Sequence, residues 1–164
     1  MYQASVPSIV QMLNSISAVL DKAIAHCEAR GIDGSVLVNY RLAPDMRPLS
    51  NQIQIMTDQA KGVIARFTGL ENPSYPDTET TLPELKARIA KTLAFVQSVT
   101  PEQINGAEDR DFNLKLGGND VTLTGRQYYF HIFALNFYFH ATTAYDILRH
   151  CGVQIGKRDF IGSF

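Results

Sequence analysis

Apolar residues recur along the chain with the i, i+3, i+4, i+7 spacing of amphipathic helices, and four such stretches dominate the pattern. From Pro7 to Arg30 the stripe is Ile9, Met12, Leu13, Ile16, Leu20, Ile24 and Cys27, and Gly31 stops it. A second runs from Ser50 to Phe67 through Ile53, Met56, Ala60, Val63 and Ile64, with Gly69 as its stop. A third begins at Thr81-Leu82-Pro83-Glu84. There the threonine oxygen can accept from the amide three residues on while Glu84 reaches back, and Leu85, Ile89, Leu93 and Val96 follow as the buried stripe. The fourth runs from Arg126 to His150 and ends at Gly152.

The connections are also legible. Ile32 to Leu49 mixes Gly34, Pro44 and Pro48 with a few apolar residues and predicts an ordered crossing with one short helical turn. Glu71 to Thr80, with Pro73 and Pro76, predicts a loop, and Thr100-Pro101-Glu102-Gln103 a further helical turn. Phe112, Leu114 and Leu116, the turn Gly117-Gly118-Asn119-Asp120, then Val121 and Leu123 predict a small β-hairpin that must pack on the helices to persist. The pattern therefore predicts an all-α chain: one domain over residues 1–164, an antiparallel four-helix bundle with a small β-hairpin before the last helix.

Wound at 100° per residue, the fourth helix has two apolar faces. One collects Tyr129, Phe133, Asn136, Phe137, His140, Ala144, Ile147 and Leu148 and is expected to face the core. The other collects Tyr128, His131, Leu135, Tyr138, Phe139, Thr142 and Tyr145, too aromatic to stand in water. Either the hairpin and the 32–49 crossing lie over it, or it is a homodimer surface.

His140 and Asn136, four residues apart, are expected one above the other inside the apolar stripe. Left unpaired there, each would cost about 1–3 kcal/mol, so partners must exist. They read either as a satisfied structural pair or as the floor of an internal polar pocket, with His140 as metal ligand or general base. Asp58 is the third pocket candidate, as the carboxylate nearest the second stripe. The helical wheel turns it away from Met56 and Val63, towards a cap or a cation such as Lys61 or Arg149. Asp77, Glu79 and Glu84 gather before the third helix, where negative charge complements the helix dipole. The tail 156–162 is expected to be pinned by Phe160.

Composition narrows the function classes. The 164 residues carry a formal net charge of -1 with 19% charged residues of both signs interspersed, which offers nucleic acid no basic surface. No long apolar run predicts a membrane span, and MYQASVPSIV lacks the basic start of a secretory leader. Cys27 and Cys151 form no CxxC motif and read as small core residues in a reducing cytoplasm.

The run Asn136-Phe137-Tyr138-Phe139-His140-Ala141-Thr142-Thr143-Ala144-Tyr145-Asp146-Ile147-Leu148-Arg149-His150, with Gly152-Val153 and Gly156-Lys157, resembles an uncharacterised, unknown-function subfamily of the DinB-like four-helix bundles. Gln52-Ile53-Gln54-Ile55, Thr57-Asp58-Gln59-Ala60-Lys61-Gly62 and Asp77-Thr78-Glu79-Thr80 are similar to the same subfamily's other signatures. The resemblance implies up-down-down-up helices, a frequent dimer and a divalent metal held by three histidines, one from the second helix and an i, i+4 pair from the fourth. Relatives of known activity are thiol-dependent transferases and isomerases of small molecules.

Carried over, His140 matches the later histidine of the pair, Asn136 stands where the earlier one would be, and Ile55 takes the second-helix place with Asp58 nearby. The three-histidine site is thus degenerate, leaving either no cofactor or a weakly held zinc or nickel ion at His140. The expected function is a bundle that binds a small ligand or a partner subunit. The alternative is a metal- or thiol-dependent small-molecule transferase or hydrolase using His140.

Overall fold

The computed structural model describes residues 1–163. The chain is mostly helical with one two-stranded antiparallel sheet. In order it forms α1 (Tyr2–Arg30), α2 (Gly34–Val38), α3 (Leu49–Thr68), α4 (Leu82–Gln97) and α5 (Pro101–Ile104). A 3₁₀ turn, β1 (Asp111–Leu116) and β2 (Asn119–Thr124) follow. Then α6 (Gly125–Gln127), a π-helical segment (Tyr128–Phe133) and α7 (Ala134–His150) run on as one helical rod, and α8 (Lys157–Ile161) closes the chain. α3 packs on α7 and α4, and α1 packs on α4, α7 and α8. Their stripes meet in one core cluster that includes Ile9, Leu13, Ile53, Ile64, Ile89 and Phe137.

Local chemistry sets the ends. Thr81 Oγ1 accepts from the Glu84 amide at 3.3 Å and Glu84 Oε2 accepts from the Thr81 amide at 3.0 Å, the reciprocal cap expected from the sequence. α1 starts five residues before Pro7, which sits inside it. A proline near a helix start forfeits one backbone bond, and here side chains support the extra turn. The Ser5 and Ser8 hydroxyls donate to carbonyls of the preceding turn, and the buried Tyr129 hydroxyl donates to the Ala4 carbonyl at 2.7 Å.

The hairpin pairs Leu116 with Asn119 across a two-residue Gly117-Gly118 turn, both glycines at positive φ (58° and 88°), where a side chain would be strained. It does not lie over α7. Phe112 packs against Phe67 at 5.9 Å between ring centres and Arg110 bonds the Phe67 carbonyl, so the hairpin closes the end of α3 instead. Gly125 permits the sharp entry into the last rod, because a Cβ there would lie 1.9 Å from the Ala107 carbonyl oxygen.

Candidate functional site

The last rod is not a uniform α-helix, and this changes which faces it presents. Over Tyr128–Phe133 the hydrogen bonding is π-type, which spreads more residues over each turn than 100° per residue allows. Tyr128, expected on the outer face, is buried beside Tyr129 and Phe133. Its hydroxyl accepts from Arg66 Nη1 at 2.7 Å, and its ring meets Phe67 edge-on at 6.2 Å. In exchange Phe130 turns outwards. It continues the line of Leu135 and Phe139 as a ridge of residues 50%, 67% and 55% exposed.

The chain covers only the far part of that outer face. Tyr145 packs on Phe160 at 5.5 Å, so the tail is pinned as expected. Leu42 and Met46 of the crossing segment face Tyr138, Phe139 and Thr142 across an open groove of about 460 Å³. Tyr40 meets the His150 ring at 5.7 Å.

His140 and Asn136 are not at the centre of the core. Phe137, Ala141, Ala144 and Leu148 hold that line, and the other two lie roughly 60° and 100° round from Phe137, half-buried on one flank of α7. There α3 sets Gln52 against the imidazole: His140 Nδ1 and Gln52 Oε1 are 2.7 Å apart. Gln52 Nε2 donates to the Arg47 carbonyl at 2.9 Å, which leaves Oε1 as the acceptor and assigns the proton to Nδ1. Burial, with Arg47 adding to it, lowers the His140 pKa below its ordinary 6.5, so the ring is neutral at pH 7 with its lone pair on Nε2. The Asn136 amide makes no hydrogen bond among the described residues.

Asp58 belongs to a different cluster, centred on an arginine that stripe reading passed over. Arg88 is 2% exposed and holds five groups. Nε donates to Thr57 Oγ1 at 2.8 Å, and Nη2 meets Asp58 at 2.8 Å and Asp77 at 3.0 Å. Nη1 meets Glu79 at 3.1 Å and the Pro76 carbonyl at 3.2 Å. The guanidinium also lies 5.5 Å from the Tyr75 ring, and Lys61 pairs with Asp58 at 3.1 Å. Of the two cations expected near Asp58, Lys61 is there and Arg149 is not. Asp77 and Glu79, read as dipole complements, are instead the anchors that bind the 71–80 segment to Arg88; only Glu84 serves the helix end. Burial opposes Glu79's charge, but bonds from Gln54, its own amide and Arg88 outweigh it and hold the carboxyl below its usual range.

The remaining chemistry-bearing residues are dispersed. Cys27 is buried, Cys151 half-buried, and both are free thiols. His131 and His150 are exposed, and His26 is half-buried with its Nε2 enclosed and without a partner. Among the described residues no three His, Cys, Asp or Glu gather as a metal site. No helix among them is long and apolar enough to cross a membrane.

The residue that α3 offers to His140 is therefore Gln52, not Ile55, while Asp58 is held by Arg88 and Lys61. One imidazole flanked by the carboxamides of Gln52 and Asn136 replaces three imidazoles. Carboxamides are weak ligands for zinc or nickel and a single imidazole nitrogen remains, so this donor set does not fit the metal that the resemblance implies.

Fold and site together define a helical protein of the DinB-like class. The chain belongs to the family described as Domain of unknown function (DUF1993), whose model matches residues 1–161. It is similar, at 38% identity, to a DinB family member protein from Shewanella denitrificans known from a crystal structure. That match has a TM-score of 0.92 and covers 99% of this chain and 92% of the other. No curated protein matches it.

Proposed function

We propose that this chain is a one-domain antiparallel four-helix bundle that works as a partner-binding protein of the cytoplasm, its partner being a second copy joined through the outer face of the last rod. The observation that carries the reading is the ridge of Phe130, Leu135 and Phe139, each at least half exposed. From Gln127 to Ala144 the sequence contains no Asp, Glu, Lys or Arg, so no acidic, lysine or arginine side chain of that stretch repels a like surface. A two-fold axis, the commonest symmetry of soluble oligomers, sets this ridge against its own copy with no charge repulsion between the two. The dimer frequent among DinB-like proteins supports the same choice.

A Leu135→Glu variant tests this by sedimentation velocity. The exchange places two like charges against each other across the axis and is expected to weaken self-association at least tenfold while leaving the helical signal intact. A wild type that sediments as a monomer at tens of micromolar overturns the proposal.

A second reading, small-molecule transfer or hydrolysis with His140 as general base, is favoured by one observation: a neutral imidazole with Nδ1 fixed by Gln52 and Nε2 unbonded. It requires activity that disappears in His140→Gln without loss of folding.

A further inference from the structure

A cavity lies apart from the last rod, and none of its lining residues belongs to that rod. Where α1 ends, the chain turns at Gly31, in the left-handed region at φ 62°, and runs through Ile32 and Asp33 into α2. The start of α4 lies across from this turn. Between them is a cavity of about 400 Å³, within the range of small-molecule sites.

Its walls are of two kinds. Ile24, Ile32, Leu82 and Pro83 supply apolar surface, and Glu28 and Asp33 supply two carboxylates; no lysine, arginine or histidine lines it. Asp33 caps α2 by accepting from the Ser35 amide at 2.9 Å, which fixes its position and holds its carboxyl below the usual range. Among the described residues neither carboxylate forms an ion pair. Both act on the same space. Cys27 lines the cavity, and its thiol is pushed up first by burial and then by the charges of Asp33 and Glu28. The thiol is therefore a protonated apolar wall and no nucleophile.

We infer that this cavity binds a small amphiphilic cation, an aryl or alkyl amine whose apolar body lies on Ile24, Ile32 and Leu82 and whose ammonium group sits between Glu28 and Asp33. Shape and charge each select: the walls remove an apolar body from water, and the two unpaired anions reward a cation and reject a carboxylate. Exposed ion pairs are individually weak, and two acting together favour an amine over its neutral isostere by roughly five- to tenfold.

The test uses the full chain and three probes of matched shape: tryptamine, tryptophol and indoleacetate. Methyl resonances of Ile24, Ile32 and Leu82 are followed by NMR as each is titrated. Tryptamine is expected to shift these methyls and to bind roughly five- to tenfold more tightly than tryptophol, with indoleacetate weakest. The double variant Glu28→Gln with Asp33→Asn keeps both side-chain shapes, and asparagine still caps α2, so the fold persists. It is expected to bind tryptamine no better than tryptophol. Three results overturn the inference: no shift at these methyls with any probe, equal affinities for amine and carboxylate in the wild type, or an amine preference that survives in the double variant.

Discussion

Replacing Arg88 by alanine removes the cation that, among the described residues, joins α3, α4 and the 71–80 segment. Not every contact counts equally. Asp58 and Asp77 have side chains 41% and 55% exposed and recover water when the guanidinium goes, so they contribute little to the loss. Glu79, at 13%, cannot recover it fully and is left with Gln54 and its own amide, and the enclosed Thr57 hydroxyl loses its donor. Breaking a buried ion pair by removing one partner costs about 3–5 kcal/mol, and the two exposed carboxylates place this case near the lower end, at roughly 3 kcal/mol.

For a chain of this length that is a fall in Tm of about 6–12 °C. Urea unfolding followed by circular dichroism measures it, and a double-mutant cycle with Glu79→Gln isolates the coupled part, expected at about 1–3 kcal/mol. Arg88→Lys should recover only part of the loss, because an ammonium cannot reach Thr57, Glu79 and Asp58 together as the fork does. An Arg88→Ala cost below about 1 kcal/mol, or a coupling of zero, would refute the assignment of Arg88 as the anchor of this segment.

Further outcomes concern the last rod and its entry. The His140 ring, followed by proton NMR, should titrate below 6.5, because burial and then Arg47 disfavour its charged form. A base whose pKa is lowered by folding binds its proton more readily when unfolded. The stability from this group is therefore present above pH 6.5 and is lost as pH falls through the lowered value; a ring titrating above 6.5 contradicts the Gln52 arrangement. Gly125→Ala should destabilise by about 2 kcal/mol or more in thermal unfolding, since its Cβ would overlap the Ala107 carbonyl; a neutral effect would mean that the 3₁₀ turn moves aside freely.

Most of the helices could be read from the order of residues because their signals are local. Thr81 and Glu84 cap one another, Gly31 and Gly69 end helices in the left-handed conformation, and Gly117-Gly118 makes a hairpin turn, each within four residues of its partner. The faces of the last rod were less legible. A wheel wound at 100° per residue cannot show that Tyr128–Phe133 takes a π turn, and that one change exchanges Tyr128 for Phe130 on the surface.

His140 is legible as a polar residue that needs a partner, but its partner Gln52 lies in another helix, and the resemblance implies Ile55 in that place instead. Arg88 had a signal that could have been used. It stands three residues after Leu85 and four before Thr92, inside the buried stripe of α4, where an arginine requires acids, and Asp77 and Glu79 come just before that helix.

The most direct measurement places a photo-reactive benzophenone side chain at position 135, in the middle of the Phe130–Phe139 ridge, and irradiates the folded protein. An adduct of twice the 18.2 kDa chain mass is expected, with the second copy's attached peptide coming from its own Phe130–Phe139 region. A product that stays at the mass of one chain, or an adduct whose attached peptide lies elsewhere in the second copy, would contradict it.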